Sequence, residues 1–353
     1  MKALILKEAG VDPAFDLVEI DDPSVSEDGV VLEVEAVGVC HHDISVMDGT
    51  LRRGVKDDVI LGHEIAGTVV DVGPSTQGIK LGDKAVTTLT TSCGLCETCL
   101  GGLEYRCPQA HGLGHGIDGG FAEYISVRRN NLVKLEDHMD LIGASLIACP
   151  IGVTVRALED LCEISAGQSV VVFGSGGGLG VHAAQVASSL GAEVIAFTRS
   201  PNKIQRLQEL GFGQVFLLEE GLDPSDLVYA LTQDLGADIA FNPVGSAVFE
   251  PALRCLGSGG KMVVLGEVEG NHSSVNIAEL IFRDGSVIGS SGAGIRHIES
   301  ACEQVSSGII TPVVEARMPF EEIVQAYKLI KSGDVFGRIV LIPAGKLTRR
   351  ENT

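Results

Sequence analysis

The 353-residue sequence contains no tryptophan, and aromatic residues make up only 4% of it, so its core must be built from Val, Ile, Leu and Ala. Long apolar runs are also missing, and none approaches the roughly 20 residues that a membrane-spanning helix needs. Basic residues are few: 26 Lys and Arg stand against 47 Asp and Glu, for a formal net charge of −21. Because nucleic acids are bound by clustered cations, we expect neither a nucleic-acid nor a membrane partner.

A secretory signal is not predicted either. The first apolar run, Ala3 to Leu6, is much shorter than a signal-peptide core, and Glu8 follows it directly. We therefore expect a cytoplasmic protein. In that reducing compartment, nine cysteines are better explained as metal ligands or buried thiols than as disulfides.

The chain length fits two domains, and the pattern of apolar runs changes along it. Up to about residue 150, short Val-rich runs alternate with Gly, Asp and Pro turns, which is typical of β structure. From about residue 168, apolar strands alternate with helical stretches, which predicts a parallel sheet covered by helices on both faces. The predicted fold class is therefore α/β, with a doubly wound sheet of about six strands. The six runs are 170–173, 194–197, 215–218, 239–241, 262–265 and 287–288.

Four cysteines stand close together in a Gly-rich segment, with the spacing Cys-x2-Cys-x2-Cys-x7-Cys; they are Cys93, Cys96, Cys99 and Cys107. Four thiolates on a flexible loop suit tetrahedral zinc. Because they leave no open coordination position, this metal would be structural. An iron–sulfur cluster and a set of free or disulfide-bonded cysteines are the alternatives that the spacing leaves open.

A second, dispersed set contains Cys40, His63 and Cys149. Two thiolates and one imidazole leave one position free for water or substrate, as catalytic zinc requires. Asp43 would accept a hydrogen bond from the other ring nitrogen of His63 and so fix its tautomer. Isolated Cys and His residues are, however, more often packed in a core, so spacing alone does not establish this site.

A Gly-rich loop links the first of the six runs to a helical stretch, and its predicted cofactor contacts are Gly174, Gly176, Gly177, Gly178, Leu179 and Gly180. A strand before the loop and a helix after it are the context of a dinucleotide-binding turn. The glycines allow the backbone to approach a pyrophosphate, and the helix N-terminus attracts its charge.

The end of the second run predicts the choice of cofactor. Thr198 stands where an acidic residue would bind the ribose 2′-hydroxyl of NAD. Arg199, Ser200 and Lys203 can all donate hydrogen bonds to a 2′-phosphate. We therefore expect NADP(H) to be preferred over NAD(H); the alternative is a solvated helix start with incidental charges.

Taken in chain order, these motifs resemble one family. Val37–Asp43, the Gly-His-Glu of residues 62–64 and the four-cysteine segment resemble the zinc-containing alcohol dehydrogenase branch of the medium-chain dehydrogenase/reductase family, over essentially the whole chain. The segment after Ala148 is also similar, although Pro150 and the position of Thr154 depart from the family pattern. The overall pattern has some likeness to acryloyl-coenzyme A reductases as well.

The resemblance implies a division of the chain and several roles. It implies a GroES-like catalytic domain (1–152 and 294–353) carrying the structural zinc, and a Rossmann domain (153–293). It implies two zinc ions per chain, the catalytic one bound by Cys40, His63 and Cys149, with the Glu64 carboxylate beside it. It also implies that His41 and Arg338 contact the cofactor pyrophosphate, and that the protein is a homodimer or homotetramer.

The position of His42 departs from the alcohol dehydrogenases, which normally carry Thr or Ser there to begin a proton relay. An imidazole can itself exchange protons near neutral pH, so His42 is a candidate for the relay. The same departure fits a different reaction, and a residue that only shapes the pocket is the third possibility.

The function that this resemblance implies is a zinc-dependent oxidoreductase that interconverts an alcohol and an aldehyde or ketone with NADP(H). An NADPH-dependent enoyl reductase of the acryloyl-CoA type is the alternative. Arg52, Arg53 and Lys56 precede the Gly-His-Glu motif and could attract an anionic small-molecule substrate, although a solvated charged face explains them too. A cofactor-binding protein without activity would not need Cys40, His63 and Asp43 together.

Overall fold

The computed structural model describes residues 1–219, 221–343 and 345–346. Within them, no helix has both the length and the apolar character to cross a membrane. The strands are β1 (Lys2–Glu8), β2 (Ala14–Glu19), β3 (Gly29–Gly38), β4 (Glu64–Val72), β5 (Lys84–Thr87), β6 (Tyr124–Arg128), β7 (Leu132–Lys134), β8 (Ser169–Val172), β9 (Glu193–Thr198), β10 (Gln214–Leu217), β11 (Ala237–Asn242), β12 (Leu256–Val264), β13 (Ser286–Gly289), β14 (Val314–Pro319) and β15 (Arg338–Ile342). The helices are α1 (His41–Met47), α2 (Glu97–Leu100), α3 (Leu141–Ala144), α4 (Gly152–Val155), α5 (Gly178–Ser189), α6 (Ile204–Glu209), α7 (Ser225–Leu231), α8 (Ser246–Arg254), α9 (Ile277–Arg283), α10 (Ile295–Ser306) and α11 (Ile323–Ser332).

Two compact units divide the chain. One contains residues 1–152, 292–308, 314–343 and 345–346, and the other contains residues 153–219, 221–291 and 309–313. Each has its own apolar core, in which aliphatic side chains predominate. This agrees with the absence of tryptophan.

The first unit is built on a mixed sheet in the order β14-β15-β3-β4-β5-β7, with β6 pairing β3. In this sheet β3 runs antiparallel to both β4 and β15. The register places Gly38 opposite Glu64 on one side and opposite Val340 on the other. Consequently the residues that follow β3, precede β4 and begin β15 meet at one end of the sheet.

The second unit contains a parallel six-stranded sheet in the order β10-β9-β8-β11-β12-β13. This is the order of a doubly wound dinucleotide-binding sheet, and it confirms the predicted α/β class and strand number. All four residues of β8 are buried, as expected for a central strand of such a sheet.

Some elements were not predicted. The six predicted runs do not include β14, whose burial alternates and which lacks a continuous apolar run. Residues 320–322 form a separate tight turn, and helix α11 begins directly after it at Ile323. The end of the chain from residue 347 lies outside the described residues.

The glycine loop of the second unit depends on close backbone packing. It leads from β8 to α5, and a side-chain carbon at Gly180 would collide with the Gly174 carbonyl oxygen. Gly174 itself has φ +58°, in the left-handed region that glycine tolerates best. Helix α5 can therefore begin directly under the loop only if position 180 has no side chain.

We predict that Gly180→Ala lowers the free energy of unfolding by about 1–3 kcal/mol, because the added carbon overpacks this turn. Gly213→Ala is the matched control, because nothing lies within 4 Å of the position its new carbon would occupy. Urea unfolding followed by circular dichroism measures both variants. Equal stability of the two would contradict the packing argument.

Candidate active site and metal centres

The four clustered cysteines converge around one point. Cys93 and Cys96 precede α2, Cys99 lies in it, and Cys107 follows the tight turn of residues 104–106. The closest sulfur pairs are 3.5 Å (Cys96–Cys99) and 3.6 Å (Cys93–Cys107), and two further pairs are 3.9 and 4.0 Å apart. All four sulfur atoms lie within 4.8 Å of one another.

These separations fit a single tetrahedral ion. Zinc–sulfur bonds of about 2.3 Å in a tetrahedron place the sulfurs about 3.8 Å apart. An iron–sulfur cluster binds its thiolates to different irons, which spreads them further than the ligands of one ion. The geometry therefore favours one metal ion with four sulfur ligands and no open position.

The second group lies at the end of the first unit's sheet where β15, β3 and β4 meet. It brings together Cys40, His63, Glu64 and Cys149, all buried, with ligand atoms within 4.8 Å of one another. The Cys40 and Cys149 sulfurs are 3.9 Å apart, again the edge expected for a tetrahedral ion. The donor set of two sulfurs, one imidazole and one carboxylate suits zinc.

Cys149 occupies a wide helical turn, Ile147–Ile151, which includes Pro150 and packs against β4. Because proline has no N–H to donate, a widened turn accommodates it where a regular helical turn would lose a hydrogen bond. The departure at Pro150 is thus compatible with a Cys149 sulfur that faces Cys40.

Asp43 holds Cys40 and His63 together. Its carboxylate is fully buried and accepts hydrogen bonds from the backbone N–H groups of Cys40 (2.9 Å) and Gly62 (3.2 Å). The same carboxylate lies 3.6 Å from Nδ1 of His63. Gly62 has φ +90°, and a side chain there would collide with the Phe121 ring, so only glycine permits this turn.

The electrostatics of this group depend on Asp43 and Arg338. Burial alone would lower the pKa of His63, but the Asp43 carboxylate and Cys40 raise it well above its ordinary value. Burial raises the pKa of Glu64 to about 7, against the opposing charge of Arg338. The Cys149 hydrogen bond holds the pKa of Cys40 well below that of a free thiol. Once the thiols ionise, the group is short of positive charge, which a divalent cation supplies.

Arg338 belongs to the same group. Its guanidinium donates to both oxygens of Glu64, at 2.9 and 3.3 Å, and to the Cys40 sulfur at 3.4 Å. The arginine was expected at the cofactor pyrophosphate, and that role stays a prediction. The structure adds a contact that sequence reasoning missed, although the register of β15 against β3 explains it.

His41 and His42 begin α1 directly after Cys40. His41 is exposed, and its predicted pyrophosphate contact is untested. The half-buried His42 ring lies edge-on to His63, with centroids 5.3 Å apart, and 5.0 Å from the ring of His115. Burial and the neighbouring His63 both lower the pKa of His42, which favours the neutral, proton-accepting imidazole.

The three cations that the sequence offers for an anionic substrate, Arg52, Arg53 and Lys56, do not all keep a free charge. Lys56 is paired with Asp118 at 2.8 Å, and Arg52 donates to the backbone carbonyl of Gly49 at 2.7 Å. Arg53 is exposed, and its backbone carbonyl accepts a hydrogen bond from His115. The arginines therefore remain candidates for an anionic substrate, whereas Lys56 is largely neutralised.

In the second unit, hydrogen bonds connect the glycine loop to the end of β9. The backbone N–H and hydroxyl of Ser175 both donate to the Phe197 carbonyl, at 3.0 and 2.9 Å. Leu179 and Gly180 stand in the first turn of α5, after Gly177 and Gly178. The segment predicted for pyrophosphate thus lies beside the segment predicted to select the cofactor.

Residues 198–203 form the selecting segment. The buried Thr198 hydroxyl accepts from the backbone N–H of Ser200 at 3.2 Å, and Arg199 is exposed. Lys203 is buried, and its aliphatic stem lies directly against Gly176. Its position against the loop does not fit a lysine in a solvated helix start.

Comparison with known proteins agrees with this architecture. Residues 26–137 match the alcohol dehydrogenase GroES-like domain, and residues 178–307 match the zinc-binding dehydrogenase domain. An acryloyl-coenzyme A reductase of Sulfurisphaera tokodaii is 30% identical over 97% of this chain and 100% of its own. An alcohol dehydrogenase of Geobacillus stearothermophilus is 31% identical over 97% and 98%. A solved NAD-dependent alcohol dehydrogenase superposes with a TM-score of 0.92, at 27% identity over 97% and 99%.

The first family match lies within the first unit and the second lies mostly within the second unit, and the curated relatives match along nearly their whole length. The predicted GroES-like and Rossmann-type fold is thereby confirmed, as is the predicted resemblance. The chain belongs to the medium-chain dehydrogenase/reductase family and is an oxidoreductase of its zinc-containing, alcohol dehydrogenase-like branch.

Proposed function

We propose that the protein interconverts an alcohol and an aldehyde or ketone, with zinc at the Cys40–His63–Cys149 group and NADP(H) as hydride carrier. The observation that carries the proposal is the donor set itself. Two sulfurs 3.9 Å apart and a buried imidazole converge beside a half-buried histidine that belongs to neither metal group. A second ion at the four cysteines would stabilise the fold.

Bound zinc would polarise the substrate oxygen and lower the pKa of an alcohol, and the nicotinamide would take or give the hydride. Asp43 holds the His63 ring in place through its carboxylate. Glu64 and Arg338 form a buried ion pair beside the ligands, and the guanidinium also donates to the Cys40 sulfur. We assign the exchange of the substrate proton to His42, because burial lowers its pKa and favours the neutral ring, which lies edge-on to the predicted zinc ligand His63.

We predict that Cys149→Ser lowers the zinc content from two ions per chain to about one, because the catalytic site loses a sulfur ligand. Cys107→Ser should also lower the zinc content, but in addition it should lower the urea midpoint of unfolding, because the ion at the four cysteines stabilises the fold. Cys302→Ser, a buried cysteine outside both groups, is the control. Elemental analysis of protein purified without chelator measures the content; two ions in Cys149→Ser would remove Cys149 from the ligand set.

We predict that His42→Asn lowers kcat for an aldehyde such as propanal by about a hundredfold, since general acid–base catalysis of this kind is worth that or more. Added imidazole should restore part of the rate. Zinc content and the KM for NADPH should not change, because His42 is not among the ligands. His138→Asn, a histidine with an exposed side chain in the same unit, is the control. Unchanged kcat in His42→Asn would exclude the relay.

Two observations support NADP(H) as the preferred cofactor. Position 198 carries a threonine and no carboxylate, and Lys203 lies against the glycine loop. We predict that Thr198→Asp raises the KM for NADPH by at least tenfold and improves the KM for NADH. Gln205→Glu adds the same charge at an exposed position of α6 and should change neither constant. A wild-type protein that prefers NADH would contradict the assignment.

A second candidate function is reduction of a double bond conjugated to a thioester. It is favoured by the similarity to acryloyl-coenzyme A reductases, at 30% identity over nearly the whole chain, and by the exposed Arg53. The two functions differ in their dependence on the metal. If NADPH oxidation with acryloyl-CoA survives Cys149→Ser while propanal gives no turnover in the wild-type protein, the second function replaces the first.

A further inference from the structure

His115 lies in the loop between the four-cysteine segment and β6, and two contacts fix it there. Its Nε2 atom is 3.1 Å from the backbone carbonyl of Arg53, and its own carbonyl accepts from the backbone N–H of Lys56 at 2.8 Å. Its ring is tilted by 59° against the ring of His42, with centroids 5.0 Å apart. His115 therefore connects the segment at residues 53–56 with the histidine proposed to exchange protons.

The contact with Arg53 determines which nitrogen of His115 carries the proton. A carbonyl oxygen only accepts hydrogen bonds, so Nε2 must donate. In the neutral ring, Nδ1 then carries a lone pair and is an acceptor. This nitrogen is buried, and no group in the described part of the chain forms a hydrogen bond with it.

A buried acceptor without a partner destabilises a protein, so a donor is expected nearby. The ring that packs against His115 is His42, and centroids 5.0 Å apart are close enough for an N–H···N hydrogen bond of about 3 Å between two imidazole rings. On its other side, His42 faces His63 edge-on. His42 is thus held between a predicted metal ligand and a histidine whose tautomer is fixed.

We infer that His115 is a positioning residue that fixes the orientation and the tautomer of His42, by accepting its N–H at Nδ1. The second nitrogen of His42 then keeps its lone pair for the proton of the substrate hydroxyl. The resulting row of hydrogen bonds runs from the Arg53 carbonyl through His115 to His42 and consists of protein groups alone. This inference rests on the proposed role of His42.

Two variants separate this role from simple packing. His115→Asn keeps an acceptor oxygen near the position of Nδ1 but removes the ring, whereas His115→Phe keeps the ring and removes both nitrogens. If His115 positions His42, His115→Phe should lower kcat for propanal about tenfold with zinc content and the KM for NADPH unchanged, and His115→Asn should retain most of the rate. The opposite order would assign His115 a packing role and overturn the inference.

A spectroscopic readout is independent of the substrate. In zinc-loaded, histidine-labelled protein, two-bond ¹H–¹⁵N spectra report which ring nitrogen is protonated, and His42→Asn and His115→Asn assign the two rings. We expect His115 to be protonated at Nε2 and His42 to be a single tautomer, which becomes a mixture in His115→Phe. A His115 ring protonated at Nδ1, or an unchanged His42 in His115→Phe, would overturn the inference.

The proposed function and this inference fail differently. If His42→Asn leaves kcat unchanged, the relay itself is absent, whatever the spectra show. If His42→Asn lowers kcat but His115→Phe does not, the relay stands and the positioning role falls. A double variant, His42→Asn with His115→Phe, should be no slower than His42→Asn alone, because one residue acts through the other; a further tenfold loss would contradict that.

Discussion

The first unit's site depends on one buried carboxylate. Asp43 accepts hydrogen bonds from two backbone N–H groups, one at the start of α1 and one in the turn before β4, and it also lies against His63. A buried charge is tolerated only where such bonds satisfy it. The interaction therefore fixes two separate parts of the chain at once, and it sets the distance between the first thiol and the imidazole.

The sheet brings the remaining groups to the same place. Since β3 is antiparallel to both β4 and β15, the start of β15 lies beside the end of β3, and Arg338 meets Glu64 there. A buried ion pair contributes little net stability, because desolvation offsets its attraction. Its presence beside two thiols is better explained by control of charge around a bound cation than by stabilisation of the fold.

The fold class followed from the sequence, because six apolar runs separated by helical stretches specify a parallel sheet. Strand β14 could not be predicted from the sequence, because its residues alternate in burial, are partly exposed and form no continuous apolar run. The cysteine spacing predicted a compact group, but only the sulfur separations distinguish a single ion from a cluster.

Contacts between distant parts of the chain were the least predictable. The pairing of Arg338 with Glu64 depends on strand register, and the packing of His115 on His42 depends on a loop conformation; neither leaves a local pattern. Lys56 illustrates the converse case. A cluster of cations is visible in the sequence, whereas the Asp118 that neutralises one of them lies 62 residues away. The spacing of residues in the sequence indicates which side chains could ligate a metal or bind a charge, and the tertiary contacts determine which of them are already paired.

The central claim is that the chain builds two single-ion sites, one with four sulfurs and one with two sulfurs and an imidazole. X-ray absorption at the zinc edge of the purified protein tests it most directly, because sulfur and nitrogen ligands differ in bond length. The account predicts an average of about three sulfur ligands per zinc, with nitrogen or oxygen completing the shell. A spectrum with four sulfurs per zinc, from protein that binds one ion per chain, would contradict it.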